Sequence, residues 1–385
     1  MPAGDYRVVP YSSEHTGQVL QLQKHLWGPD EDMNAAYLDW KHLRNPYLSE
    51  PLIYLAVHGE RVVGMRSFVG AEWEFGSPRQ TLVLPLASDL VVAPDHRSRG
   101  LPALIMKTAL SDLARKGYSY VLSMAAIQVT VVNQMKTGWR GVGSLRPMDC
   151  SVVYEKPLPM KNRFLRLRAF LGKSSLAASA VRRLHGISRK MFLAARPGSV
   201  DWFHEPRSHN IGGHISVGKT PRVPEMVRLK RRLTNDSRIR HVYDEVYHGW
   251  RFQNPRNRYR FLFLDKSELE GYLILQAGIL PTSEPVGILD WEASSDQVRT
   301  ELLQAALQLV HDRAVSLWSA TLPGNELRSL EAAGFRPRES TPSHPHAAAV
   351  RHVDDDMLNQ EWRLGNQRLL DMNNWDFRMI HSRAY

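Results

Sequence analysis

Apolar residues recur at three- and four-residue intervals in LPALIMKTALSDLARKG (Leu101–Gly117) and again in VRTELLQAALQLVHDRA (Val298–Ala314), which predicts two long amphipathic helices. Each follows an apolar run ending near an aspartate, LVLPLASDLVV (Leu82–Val92) and VGILDWEA (Val286–Ala293), and precedes another, YSYVLSMAA (Tyr118–Ala126) and VSLWSATLP (Val315–Pro323). Upstream, LIYLAVHGERVVGMRSFV (Leu52–Val69) and YRFLFLDKSELEGYLILQ (Tyr259–Gln276) read as strand hairpins with short polar turns. Before each hairpin stands a Trp, a basic residue and an Asn-Pro step, in YLDWKHLRNPY (Tyr37–Tyr47) and YHGWRFQNPRN (Tyr247–Asn257). Downstream come NQMKTGWRGVG (Asn133–Gly143) and ELRSLEAAGFRPR (Glu326–Arg338), and WDFRMIHSRAY at the C-terminus reads as a closing strand. The ordered recurrence predicts two copies of one α/β unit, residues 1–155 and 200–385, joined by a connector at 156–199. In each copy a mostly antiparallel sheet turns parallel where the long helix crosses over, and the crevice at the carboxyl end of the central strand is the expected ligand position.

Composition places the basic character of the chain in the connector. From Lys156 to Arg196 there are eleven Lys or Arg and no Asp or Glu, which accounts for the whole net charge of +11. Arginines alternate there with Phe, Leu and Met at helical spacing, so this segment reads either as a solvated connector packed on both units or as a docking element for an anionic membrane surface or an acidic partner. No nucleic-acid reading motif accompanies it, and nucleic acid is not an expected partner. The single cysteine, Cys150, cannot form an internal disulfide, and no apolar run is long enough to span a bilayer, so the chain reads as cytoplasmic and at most membrane-peripheral.

The candidate chemistry sits in VVAPDHRSRGLPALI (Val91–Ile105), between the central strand and the long helix of the first unit. A helix N-terminus offers unpaired N–H groups and partial positive charge. Arg97 and Arg99 add two cations, Gly100 lets the backbone approach a ligand closely, and Ser98, Arg99, Gly100 and Leu101 can each present an N–H, so the loop suits a pyrophosphate. The Gly172–Ser174 tripeptide is not a phosphate loop, because Leu167 stands where its first glycine belongs. Asp89 is the sole charge in the central strand, and burial would raise its carboxyl toward a useful base, unless it serves as a buried ion-pair or hydrogen-bond partner. Glu72 and Glu74, on one face of the preceding strand, are rival bases or solvated surface residues. The histidines of HEPRSHNIGGH (His204, His209, His214) and SHPHAAAVRHVDDD (His344, His346, His352) fall in loops without a helical two-histidine face, so no metal is expected.

The segment LVVAPDHRSRGLPALIMKTAL resembles the fourth strand, pyrophosphate loop and third helix of the GNAT superfamily of acyl-CoA-dependent N-acyltransferases, and NQMKTGWRGVG resembles its helix ending in Gly-Phe or Gly-Trp. The second unit is similar in outline, through SLEAAGFRPR, and the whole chain resembles tandem GNAT proteins of bacterial polysaccharide and envelope biosynthesis. The resemblance makes Arg97 the first position of the loop and Gly100 its glycine, while Pro102 stands where Gly or Ala is usual and removes one N–H donor. It implies that backbone N–H groups of Leu90, Val91 and Val92 polarise the thioester. It puts Gln134 where the family often has a tyrosine acid, leaving Thr130, Asn133 and Gln134 to hydrogen-bond the pantetheine arm. In the second unit WEASSDQVRTEL has no arginine-glycine loop and Asp296 would repel phosphate, so that unit is expected to lack a cofactor and to complete the acceptor cleft. The implied activity is acetyl-CoA-dependent N-acetylation of a small amine or amino sugar. The alternatives are a longer acyl donor on CoA or on an acidic acyl carrier protein docked by the basic segment, and a non-catalytic scaffold.

Overall fold

The computed structural model describes residues 6–125, 128–151, 214–234, 236–278, 285–310, 313–338 and 346–382, and the statements below refer to these. The basic segment 156–196 lies outside them, as do His204, His209 and His344. The first half runs β1 (Tyr6–Pro10), α1 (Thr16–Trp27), α2 (Glu31–Leu38), β2 (Ile53–His58), β3 (Arg61–Phe75), β4 (Gln80–Val92), α3 (Leu101–Arg115), β5 (Tyr120–Ala125), α4 (Gln128–Met135), β6 (Arg140–Ser144) and β7 (Pro147–Ser151). The second runs β8 (Ile215–Gly218), α5 (Val223–Leu233), β9 (Arg240–His241), α6 (Glu245–Arg251), β10 (Asn257–Asp265), β11 (Leu269–Gly278), β12 (Val286–Ala293), α7 (Asp296–Leu309), β13 (Ala314–Trp318), α8 (Gly324–Ala332), β14 (Arg336–Pro337) and β15 (Ala347–His352). The expected closing strand is absent. Trp375–Phe377 is not part of a strand and Met379–Ser382 is a short helix, because Arg378 turns back to bond Asp376 and its N–H donates to the His381 ring.

Two mixed sheets form, and they exchange a strand. The first sheet has the order β1-β2-β3-β4-β5-β15-β6, and the second, read from its own first strand, β8-β10-β11-β12-β13-β7-β14. β7 therefore completes the second sheet, antiparallel to β13 and β14, while β15 completes the first, antiparallel to β5 and β6. The two crossing points meet, since the Leu145 N–H donates to the His346 carbonyl at 2.7 Å just before each chain enters the other sheet. Neither half closes its own sheet, and the pairing of each depends on the other.

The largest apolar cluster lies between the halves and includes Trp40, Trp73, Tyr247, Trp250, Trp375 and Phe377. At its centre the tryptophans of the two Asn-Pro motifs face one another. The Trp40 and Trp250 rings stack with centroids 4.9 Å apart, and each indole N–H donates to the other's backbone carbonyl at 2.8 Å. This reciprocity is that of a pseudo-two-fold axis, and it explains why Trp recurs in both motifs: each buried indole N–H finds its acceptor only across the interface. No helix among the described residues is long and apolar enough to cross a membrane.

Candidate functional site

β4 and β5 are parallel neighbours that pair only at Leu86 and Leu122, so beyond that point the strands part and leave a gap in the sheet. A β-bulge in β4 lies beside the gap, since Arg66 faces Leu90 and Phe68 faces Ala87, which leaves Ser67 opposite both Ser88 and Asp89. The Ala93 N–H donates to the Val63 carbonyl of β3. Successive strand N–H groups point to opposite sides, so Val91 also faces β3 while Leu90 and Val92 aim their N–H groups into the gap. Of the three residues expected to polarise the carbonyl, Leu90 and Val92 point their N–H groups into the gap and Val91 points away from it.

At the end of β4 the chain makes a short turn over Pro94–His96 and then an exposed loop from Arg97 to Gly100 before α3 begins. Ser98 and Gly100 both have positive φ, 60° and 75°, which makes glycine the natural residue at the second position. Gly100 caps α3 without a side-chain hydrogen bond, and Pro102 lies in the first turn, where a missing N–H breaks no helical bond. The Leu101 side chain is buried and anchors the helix start, leaving its backbone as the part that faces the loop. Arg97 Nε reaches back to the Val92 carbonyl at 3.3 Å, and Arg99 bonds the Tyr6 hydroxyl at 3.1 Å and the Asp95 carbonyl at 3.2 Å. Both guanidinium groups are thus held beside a helix N-terminus with its dipole uncapped.

The second half treats the same position differently. β12 and β13 also pair only at their start, Val286 with Val315 and Gly287 with Ser316, so the gap is repeated. Only Ser294 and Ser295 separate β12 from α7, however, and Ser295 Oγ accepts the Val298 N–H at 3.3 Å as a cap. Asp296 occupies the first helical position, where hydrogen bonds from Asn325 and Arg299 hold its carboxyl below the usual carboxylate range. One N–H of the helix start is taken up by Ser295, and the Asp296 carboxylate lies on the positive end of the dipole.

Behind the bulge of β4 lies a buried polar group. Lys41 Nζ is 2.7 Å from Asp89 Oδ1 and His42 Nε2 is 3.7 Å from Asp89 Oδ2, with all three side chains almost fully buried. Lys41 and His42 stand in a π-helical turn, Asp39–Leu43, that continues α2. The expected rise of the Asp89 carboxyl does not occur. Burial pushes it up, but the Lys41 ammonium and the His42 ring outweigh burial and hold it well below the usual carboxylate range. Asp89 is the ion-pair partner of Lys41 and is a weak base. Burial also pushes the Lys41 ammonium down to about 8, against the pull of Asp89, and keeps the His42 ring neutral by pushing its pKa down.

Glu72 and Glu74 do not join this group. Glu72 pairs with Val83, seven residues before Leu90, or roughly 23 Å along the strand at about 3.3 Å per residue. Glu74 is engaged by Arg79 at 3.1 Å and Arg240 at 3.8 Å. On the far side of the gap, Gln134 is buried and its Nε2 donates to Ser123 Oγ of β5 at 2.7 Å. Asn133 is exposed on the outer face of α4, and Thr130 lies in α4 with its side chain outside the described residues. Lys41, His42 and Ser123 were missed from the sequence. The replacement of Lys-His by Arg-Phe between the two Trp motifs was the available signal for the first two.

No protein-family model and no curated protein matches the sequence significantly. Solved structures do match its shape. A GCN5-related N-acetyltransferase from Anabaena variabilis superposes with a TM-score of 0.55 at 14% identity, over 96% of this chain and 81% of that one. A tandem GNAT protein from the clavulanic acid biosynthesis pathway superposes with a TM-score of 0.51 at 12% identity, over 91% of this chain and 99% of that one. The chain has the tandem GNAT fold. Within that GNAT fold the exchanged strands β15 and β7 occupy the same place, next to the fifth strand of each sheet, and the exposed arginine-glycine cradle belongs to the first half. Among the described residues no group of three or more His, Cys, Asp or Glu is arranged to hold a metal ion.

Proposed function

We propose that the chain is an acyl-CoA-dependent N-acyltransferase working at the first half, with acetyl as the acyl group and a primary amine of a small molecule or amino sugar as acceptor. One observation carries this reading: at the same end of one sheet, β4 parts from β5 and α3 opens with an arginine-flanked, uncapped N-terminus. On this reading the loop from Arg97 to Leu101 receives the pyrophosphate, and Leu90 and Val92 donate N–H groups to the thioester oxygen as negative charge develops there. The amine attacks the carbonyl carbon, the new C–N bond forms and the C–S bond breaks. His42, neutral and beside Asp89, is the acceptor of the ammonium proton, with the Asp89 carboxylate stabilising the imidazolium. Ser123, whose oxygen already accepts from Gln134, donates a hydrogen bond to the departing thiolate, which takes its proton from water.

The second half, with its gap but no cradle, closes the acceptor side, and the division into units 1–155 and 200–385 belongs to the same reading. A cytoplasmic role in envelope polysaccharide biosynthesis is part of the proposal, as is docking of an acidic carrier protein or an anionic membrane by the segment Lys156–Arg196. Calorimetric titration with acetyl-CoA tests the core of it. Micromolar or tighter binding is expected, weakened about tenfold by Arg97→Ala, the worth of one charge-assisted phosphate contact. No heat with the wild type, or identical affinity for Arg97→Ala, contradicts it.

A further inference from the structure

Each half carries a basic residue directly after the tryptophan of its Asn-Pro motif, and the two meet different partners. Arg251 is fully buried and donates to neutral groups, the Ile380 carbonyl at 3.2 Å, the Tyr259 hydroxyl at 2.7 Å and the Gln276 amide oxygen at 3.2 Å. Phe252 follows it and offers no titrating group. Lys41 is also fully buried, but its Nζ meets a carboxylate, Asp89 Oδ1 at 2.7 Å, and the next residue is His42. The Ser88 hydroxyl donates to the same oxygen at 3.4 Å. Asp89 is thus drawn toward Lys41 through Oδ1, while Oδ2 stops 3.7 Å from His42 Nε2, too far for a hydrogen bond. Oδ2 and both ring nitrogens are buried without a hydrogen-bond partner among the described residues. The ring faces a negative charge, but no bond fixes a proton on it.

The surroundings are cationic beyond Lys41. Its Nζ lies over the Tyr37 ring at 5.0 Å and the Trp27 ring at 5.5 Å, and Arg256 lies over the same two rings at 5.1 and 5.3 Å. Arg66 of β3 and Arg256 both add positive field at Lys41. Burial pushes the His42 ring down, and the Lys41 charge pushes it further, against the pull of Asp89. We infer that Lys41 is a positioning residue that acts through His42: it holds the Asp89 carboxylate off the ring and keeps the ring unprotonated, ready for the acceptor's proton. The inference rests on the acyl-transfer reading above, in which His42 is the base, and it names the residue that sets the pH range of that base. With Lys41 charged the neutral ring is favoured, so the base keeps working as pH falls below the ordinary imidazole range. Without that charge the ring binds its proton at higher pH.

NMR titration of the full chain with labelled histidine tests this without an acyl donor, the His42 signals being those lost in His42→Gln. In the wild type the ring is expected to titrate below the ordinary imidazole value. Its signals are expected to inflect again as Lys41, pushed down to about 8 by burial, loses its proton. Lys41→Arg keeps a permanent charge, so the low titration should stay and the upper inflection should vanish. Lys41→Met is expected to raise the proton affinity of the ring about tenfold, the effect of one neighbouring charge. A ring that titrates alike in the wild type and Lys41→Met overturns the role of Lys41. A wild type without the upper inflection overturns it as well, and that arm needs no variant to fold. Calorimetry on the same samples separates the two readings. CoA binding with an unmoved His42 titration overturns the role of Lys41 alone, and the expected titrations in a chain that binds no acetyl-CoA overturn the acyl-transfer reading alone.

Discussion

The β4–α3 and β12–α7 junctions occupy the same place in two copies of one fold and end in opposite states. In the first half the chain spends Ala93–Gly100 on a loop that holds two arginines out and leaves the start of α3 without a side-chain cap. In the second half two serines suffice, one of them caps α7, and Asp296 sits on the dipole. A helix start whose own chain caps one N–H and sets a carboxylate on the dipole offers a phosphate fewer donors and a weaker field. The comparison shows that the gap between the fourth and fifth strands is a property of the fold, whereas the cradle is a property of one loop.

The polar groups behind the bulges diverge as well. Asp89 meets Lys41 at 2.7 Å with His42 beside it, whereas its counterpart Asp290 shares its surroundings. The Tyr272 hydroxyl donates to Asp290 at 2.9 Å, and Lys230, 3.7 Å from Asp290, also pairs with Glu292. Removing Asp89 breaks a buried ion pair from one side, and Asp89→Ala should cost about 3–5 kcal/mol. Asp290→Ala should cost about 1–3 kcal/mol, since Lys230 keeps Glu292. Urea unfolding of the two variants measures the difference, and equal losses would break the comparison.

The second half also buries three histidines, His241, His248 and His381, around Tyr243 and Tyr247. Burial pushes His241 down to about 3 and His248 down to about 4. Both are neutral in the folded chain, while an unfolded imidazole takes a proton near pH 6.5. Below about pH 6.5 the unfolded state therefore binds more protons, so stability is lost as pH falls toward 4. For His248 alone the loss amounts to about 3 kcal/mol between those limits. His248→Gln should flatten the acid limb of stability against pH by that amount, measured by urea midpoints from pH 7 to pH 4, and an unchanged slope would count against a neutral buried ring.

Much of this was legible in the sequence, and the exceptions have physical causes. Paired hairpins, long helices and the Trp–Asn-Pro motifs announce two copies of one unit because hydrophobic period and turn chemistry are local. The exchange of β7 and β15 is not local. Both are short strands whose pattern fits either sheet, and the choice of partner is made where Leu145 meets His346. Asp89 was visible as an isolated charge in an apolar strand, but the sign of its shift depended on Lys41, forty-eight positions away. WDFRMIHSRAY has the alternation of a strand, and the Asp376–Arg378 pair bends it into a turn.

Counting bound CoA per chain by calorimetry decides most directly whether one half alone carries the donor site. One equivalent is expected, and Gly100→Val should abolish it, because a β-branched residue is strained at the positive φ of that position although nothing lies within 4 Å of its added Cβ. Two equivalents per chain, or one that survives Gly100→Val at full affinity, would contradict a single cradle at the start of α3.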